Sequence, residues 1–60
     1  MIIEEKRIQM NLTQFDLATK VGVDRSTVAK WELGVAFPRV EVLLKLSEIF
    51  SCTVDELLKG

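Results

Sequence analysis

The sequence contains no histidine and only one cysteine, Cys52, among its 60 residues. Structural zinc sites use several cysteine or histidine ligands, so these residues cannot form one. A single cysteine also allows no internal disulfide, which is typical of proteins in a reducing cytoplasm. Cys52 has no basic neighbour that would activate its thiol. It is therefore predicted to be a small buried hydrophobe between the last two helices.

Long apolar segments and catalytic motifs are also absent from the sequence. The apolar runs fall far short of the roughly 20 residues that cross a bilayer, and the N-terminal MIIEEKR lacks the apolar core of a signal peptide. There is no histidine, no readable nucleophile–base pair and no phosphate-binding glycine loop. We therefore expect a cytoplasmic protein that is not an enzyme, with no membrane contact, metal, cofactor or evident small-molecule site.

The formal net charge is −1 and the pI is near 5.3, which argues against nonspecific nucleic-acid binding. The charges are nevertheless unevenly distributed. Residues 20–39 carry four basic and two acidic side chains, whereas the remainder carries four basic and seven acidic ones. A modest basic face on an acidic body fits specific DNA binding with few phosphate contacts. It also fits a protein that binds no DNA, so charge alone leaves both possibilities open.

Residues 13–34 predict two short helices joined by a tight glycine turn. Thr13 and Asp24 stand at the N-cap positions, and Asp16 follows Thr13 at the spacing of a capping box. Gly22 and Gly34 can adopt the left-handed conformation that ends a helix. Two helices joined in this way form the helix-turn-helix pattern, whose second helix lies in the major groove of DNA.

The remaining segments predict three further helices and an all-α fold. The five helices are expected at about 2–10, 14–21, 25–33, 40–50 and 54–58. Ile3, Arg7 and Met10 share one face of the first helix. The inward residues of the fourth helix are predicted to be Val40, Leu43, Leu46, Ser47 and Phe50. Thr53 should cap the fifth helix. With no linker or repeat, residues 1–60 are expected to form a single domain.

The residues of the two-helix segment stand at the spacing of a known family. They are Gln14, Leu17, Ala18, Gly22-Val23, Thr27-Val28, Trp31-Glu32, Gly34 and Pro38. This pattern resembles the signature of the Cro/phage-repressor family over roughly residues 3–58. The resemblance implies a five-helix, lambda-repressor-like domain that binds double-stranded DNA as a homodimer and regulates transcription, usually by repression. Asn11 departs from the family's usual glycine, and Leu33 stands where polar phosphate-contacting residues are common.

The candidate DNA-binding residues lie on the second motif helix and at helix N-termini. Arg25, Ser26 and Lys30 are expected to contact base edges, because Arg and Lys favour guanine O6 and N7 and Ser is permissive. The residues expected to contact the DNA backbone are Thr13, Gln14 and Arg39. The alternative for both sets is an ordinary solvated surface. For Phe15, a position near the DNA backbone and packing on Ala36–Phe37 both remain open.

Two charged residues lie in or beside apolar stripes and predict a structural ion pair. Arg7 lies between Ile3 and Met10, and Glu32 follows Val28 by four residues. A charge on a buried face requires a partner. We therefore predict a partly buried Arg7–Glu32 pair between the first and third helices, which the resemblance also implies. The alternative is two solvated charges.

The C-terminal region contains more apolar residues than a core this small should accommodate. The residues that do not fit into the core are expected to form an exposed apolar patch, and such a patch often marks an interface. This predicted dimer patch consists of Ile49, Val54, Leu57 and Leu58. The alternative is that these residues only close the core over the first helix, near Ile2 and Ile8.

A different class of function is an adaptor, such as an antitoxin-like protein, that uses the same fold for protein–protein contact. Such an adaptor would have no reason to expose Gln14, Arg25, Ser26 and Lys30 together.

Overall fold

The computed structural model describes residues 1–59, which form five helices and no strand. The helices are α1 (Ile3–Gln9), α2 (Gln14–Val21), α3 (Arg25–Leu33), α4 (Val40–Phe50) and α5 (Val54–Leu58). The predicted all-α, five-helix class is therefore confirmed. Within these residues, no helix has the length and apolar character needed to cross a membrane.

Helix α1 is shorter than the predicted range of 2–10. It ends at Gln9, and Met10 lies in the turn that follows with 45% of its surface exposed. The predicted place of Met10 on the inward stripe is therefore wrong. Asn11 adopts a positive φ of 57°, which turns the chain away from the helix axis. Asn tolerates this left-handed conformation better than most residues with a Cβ.

Helix α2 begins with a complete capping box and ends at a glycine. The Thr13 hydroxyl accepts from the Asp16 N–H at 3.0 Å, and the Asp16 carboxylate accepts from the Thr13 N–H at 3.0 Å. Gly22 ends α2 with a φ of 80°. Asp24 occupies the N-cap position of α3, but its side chain makes no capping hydrogen bond, so the predicted side-chain cap is wrong. The extended backbone at Asp24 alone defines the start of α3.

The core combines residues from all five helices. The buried apolar residues are Ile3, Leu17, Ala18, Val21, Val28, Trp31, Leu46, Phe50 and Leu57. Helices α2 and α3 pack most extensively on each other, and α4 packs on both α5 and α2. Trp31 is only 5% exposed, which confirms that it belongs to the core.

The inward face of α4 differs from the predicted one. Val40 is 70% exposed, so its predicted inward position is wrong. Leu46 and Phe50 lie in the core as predicted, and Val42 and Ile49, which the predicted face left out, pack against it as well. Their spacing of four, seven and eight residues from Val42 defines one helical face, and Val40 lies away from it.

Helix α5 closes the core beneath the N-terminus. Leu57 is fully buried, and its carbonyl accepts from the Ile2 N–H at 3.1 Å. The prediction that Leu57 belongs to an exposed dimer patch is therefore wrong, because its side chain is already used within one chain. Val54 is half-buried and Leu58 is 52% exposed. Cys52 is half-buried against the core between α4 and α5.

The capping box of α2 predicts a specific dependence of stability on pH. Hydrogen bonds from the Thr13 N–H and hydroxyl group lower the Asp16 pKa below its usual 3.8. The folded state therefore binds fewer protons than the unfolded state in this range, and stability rises with pH across it. Asp16→Asn should be less stable than the wild type at neutral pH. This difference should shrink as the pH falls through the folded-state pKa of Asp16.

Urea unfolding followed by circular dichroism at neutral and acidic pH measures this difference. Asp55→Asn is the control, because Asp55 lies in the first turn of α5 outside its capping pair. An Asp16→Asn deficit of equal size at both pH values would contradict the argument.

Candidate nucleic-acid interface

The outer face of α3 brings the predicted base-contacting residues together. Arg25, Ser26 and Lys30 are all exposed. At 3.6 residues per turn, they fall with Ala29 within an arc of about 140° around the helix. Val28, on the opposite side, is fully buried. One side of α3 is thus part of the core, and the other presents basic and small polar groups to solvent.

The glycine turn fixes α3 relative to α2. Gly22 and Val23 both donate their N–H groups to the Ala18 carbonyl, at 2.8 and 3.0 Å. These bonds satisfy a carbonyl at the end of α2 in the manner of a left-handed helix terminus. The turn leads directly to Asp24, the residue before α3. Because the turn is bonded to Ala18, a buried residue of α2, it holds the start of α3 in a fixed position relative to α2.

The Arg7–Glu32 pair links α1 to the inner edge of α3. Arg7 Nε donates to Glu32 Oε2 at 2.7 Å, and Nη2 donates to Oε1 at 3.3 Å. The side chains are 12% and 5% exposed, so the pair is largely shielded from water. Arg7 Nη1 also donates to the Leu12 carbonyl at 2.7 Å. The hydrogen bond to Glu32 raises the Arg7 pKa above its usual value.

Gln14 connects this ion pair to the outer face of α3. Its Nε2 donates to Glu32 Oε1 at 3.0 Å, and its Oε1 accepts from Arg25 Nη1 at 2.9 Å. The sequence predicts only a DNA-backbone contact for Gln14 and indicates neither of these two hydrogen bonds. They join residues that are 18 and 11 positions apart in the sequence, so they cannot be predicted from the spacing of residues on one helix. An amide nitrogen carries two hydrogens, and the second one is still available to a phosphate.

The other two candidate backbone residues lie at helix N-termini. Thr13 is the N-cap of α2 and Arg39 is the N-cap of α4, and both are exposed. The positive end of a helix dipole and its free N–H groups favour a phosphate oxygen. Arg39 therefore lies where an anion is stabilised. At Thr13 the capping box already bonds the Thr13 and Asp16 N–H groups, so the dipole of α2 acts there without these two donors.

An open cleft of about 450 Å³ lies between the glycine turn and the start of α4. Trp31, Phe37 and Pro38 contribute to its apolar lining, and Arg39 and Lys45 lie among its charged residues. No spacing in the sequence predicts this cleft, because residues distant along the chain, from Val21 to Lys45, form its lining. Within residues 1–59, no three potential metal-ligating side chains come together.

Comparison with known proteins identifies relatives of the whole described fold. The sequence matches the helix-turn-helix family over residues 3–57. The HTH-type transcriptional activator BcrR of Enterococcus faecalis is 43% identical over 58 residues, which cover 97% of this chain and 28% of that protein. The repressor protein C2 of Salmonella phage P22 is 36% identical over 97% of this chain and 27% of that protein. This chain therefore spans less than a third of either relative.

A solved structure supports the same relationship. The solution structure of the DNA-binding domain of the P22 C2 repressor resembles this fold with a TM-score of 0.85 and 36% sequence identity. The similarity covers 97% of this chain and 76% of that one.

The ion pair predicts a large loss of stability when one partner is removed. Arg7→Met should lower the free energy of unfolding by about 3–5 kcal/mol, because it leaves the Glu32 carboxylate buried without its counter-ion. Adding Glu32→Leu should recover most of this loss, since replacing both charges removes the stranded one. Urea titration followed by circular dichroism measures the free energy of unfolding of both variants. Arg39→Met is the control, because Arg39 is exposed. An Arg7→Met midpoint equal to that of the wild type would show that the pair contributes nothing.

Proposed function

This chain belongs to the helix-turn-helix family of the Cro and phage-repressor type, and from that premise we propose that it binds specific duplex DNA and regulates transcription. The observation that carries the proposal is the outer face of α3, where exposed Arg25, Ser26 and Lys30 lie opposite a buried face. A helix held in this way can enter the major groove without reorganising the core. Residues 1–60 then act as one DNA-binding domain, in the cytoplasm where bacterial and phage operators lie.

The side chains of α3 have the chemistry needed to distinguish base pairs. Arg25 and Lys30 donate hydrogen bonds to guanine O6 and N7, whereas the Ser26 hydroxyl can donate or accept. Ala29 adds little bulk between them, so the helix backbone can approach the groove closely. This arrangement assigns base recognition to Arg25, Ser26 and Lys30.

Contacts to the DNA backbone fix the position of the domain on the duplex. Gln14 and Arg39 supply an amide hydrogen and a guanidinium for phosphate oxygens, and Thr13 stands beside them at the positive end of α2. Such contacts carry no base information, but they hold α3 in register. Occupying an operator in this way is sufficient for repression when the operator overlaps a promoter.

A two-fold dimer would place two copies of α3 in successive major grooves. The exposed side of α5, at Leu58 with the half-buried Val54 and Ile49, is an apolar surface that can form this contact. In a two-fold interface each patch meets its own copy. The two recognition helices then lie about 34 Å apart, and the half-sites are centred about 10 bp apart.

The dimer predicts that a charge at Leu58 changes the assembly state. Leu58→Lys should shift the protein to monomer, because two lysines would face each other across the two-fold axis. Leu44→Lys is a matched control, since Leu44 on α4 is equally exposed, at 52%, and lies outside the patch. Sedimentation velocity with and without operator DNA measures the assembly state. A wild-type protein that remains monomeric in both conditions would rule out this interface.

The assigned roles on DNA predict two kinds of mutant. Arg25→Ala and Lys30→Ala should each cost about 1–3 kcal/mol on the best operator and relax the preference at one or two base pairs. Arg39→Ala should weaken binding to all duplexes by a similar factor and reduce the salt dependence. Titrations against the best operator and its single-base variants at fixed salt separate the two kinds. If Arg25→Ala and Lys30→Ala both leave base preference intact, α3 does not recognise the bases.

A further inference from the structure

A continuous series of hydrogen bonds runs from the shielded ion pair to the exposed start of α3. Arg7 donates to both oxygens of Glu32, Gln14 donates to Glu32 Oε1, and Arg25 donates to Gln14 Oε1. Glu32 therefore lies two hydrogen bonds away from Arg25 without contacting it. The Glu32 side chain is only 5% exposed, whereas Arg25 is on the surface.

The chemistry of the two ends determines which way the Gln14 amide points. An ionised carboxylate can only accept hydrogen bonds, and a guanidinium can only donate them. The amide NH₂ must therefore face Glu32, and the amide oxygen must face Arg25. The reversed amide would oppose oxygen to oxygen at Glu32 and N–H to N–H at Arg25. The charge of Glu32 thus selects the single orientation in which Gln14 can hold Arg25.

Arg7 prevents the carboxylate from turning away from Gln14. Its Nε holds Glu32 Oε2 at 2.7 Å, and its Nη2 reaches Oε1, the oxygen that Gln14 also contacts. Arg7 is itself anchored to the Leu12 carbonyl at 2.7 Å. Rotation of the carboxylate would break the bonds to Arg7 and Gln14 together, so the Gln14 oxygen has a fixed position.

A held guanidinium recognises a base differently from a free one. An exposed arginine side chain samples many rotamers, and binding restricts them at an entropic cost. The bond from Arg25 to Gln14 removes part of that freedom before DNA arrives and constrains the direction of the remaining N–H groups. This preorganisation favours the base pair whose acceptors match that direction.

We propose that Glu32 is a positioning residue for base recognition, which acts on Arg25 through the Gln14 amide. The inference rests on the proposed function, since it concerns the base pair that Arg25 contacts. Glu32 itself contacts no base. It sets the base preference at that pair by fixing the acceptor that holds Arg25.

The test compares discrimination at two base pairs of the same operator. Glu32→Gln keeps the side-chain shape but can donate as well as accept, so it no longer dictates the Gln14 orientation. Gln14→Leu removes the link and keeps the Arg7–Glu32 pair. Each variant should reduce discrimination at the base pair contacted by Arg25 by about three- to tenfold, the range expected for one hydrogen bond. Discrimination at the base pair contacted by Lys30 should remain unchanged.

The double variant shows whether Glu32 acts through Gln14. In the Gln14→Leu background, Glu32→Gln should cause no further loss of discrimination at the Arg25 base pair. Glu48→Gln is the charge-matched control, because Glu48 is exposed on α4. Loss of the Gln14 phosphate contact lowers affinity for all duplexes in Gln14→Leu, so the decisive quantity is discrimination. Unchanged discrimination at the Arg25 base pair in both single variants, whatever the loss of overall affinity, would overturn the inference. If Glu32→Gln fails to fold, Glu32→Asp takes its place, because the shorter side chain withdraws the carboxylate from Gln14. A loss of discrimination in Gln14→Leu but not in the Glu32 variant would overturn the role of Glu32.

A measurement without DNA separates this inference from the proposed function. In ¹⁵N NMR spectra of the free protein, the Arg25 side-chain N–H signals should show restricted motion. Gln14→Leu and Glu32→Gln should shift them to the values of a freely rotating arginine. Unchanged Arg25 signals in both variants would overturn the positioning role, even if the wild type binds its operator specifically. A wild type without base preference would instead contradict the proposed function, while the NMR result still tests the hydrogen-bond series.

Discussion

The Arg7–Glu32 ion pair is the interaction on which the rest of this small fold depends. It joins α1, the Leu12 backbone and α3 within one shielded group of hydrogen bonds. Helix α1 has only seven residues, and a helix of that length is not stable by itself in water. Its position therefore depends on tertiary contacts, namely buried Ile3 and the bonds of Arg7. Two charges withdrawn from water are costly unless they are paired and fully bonded, and here each charge satisfies the other.

The same interaction connects stability to the functional surface. Glu32 lies on the edge of α3 between its buried and exposed faces, so its contacts reach both sides. Toward the core it holds Arg7, and toward the surface it holds Gln14. Leu17, Val28 and Trp31 bury the inner faces of α2 and α3 and leave little room for movement between these helices. The basic groups of α3 can therefore occupy a groove without a large conformational cost.

Local signals in the sequence predict much of the fold because their physics is local. A capping residue or a positive-φ glycine acts within one turn of its own position, as Thr13, Gly22 and Thr53 show. The predictions that were wrong concern helix ends and packing limits. Met10 lies beyond the end of α1, and Val40 lies off the buried face of α4. Leu57 is fully buried, although the core was expected to be too small to hold it.

The site is predictable only in part, because some of its contacts are local along a helix and others depend on how the helices pack. Helical spacing places Arg25, Ser26 and Lys30 on one face, and the unfavourable burial of lone charges identifies Arg7 and Glu32 as partners. The contacts of Gln14 depend on how α2 and α3 are packed, which no spacing rule contains. Its two hydrogen bonds become evident only when the tertiary structure places a carboxylate and a guanidinium on either side of the amide.

Selection from a random duplex library at physiological salt tests the central claim, base recognition by α3, most directly. Successive rounds with the wild-type protein should enrich one pseudo-palindromic sequence whose half-sites are centred about 10 bp apart. The same selection with Lys30→Ala should lose the preference at positions within each half-site and keep the spacing, because the dimer is unaffected. A pool that stays random with the wild-type protein, or an enriched sequence identical for both proteins, would contradict the claim.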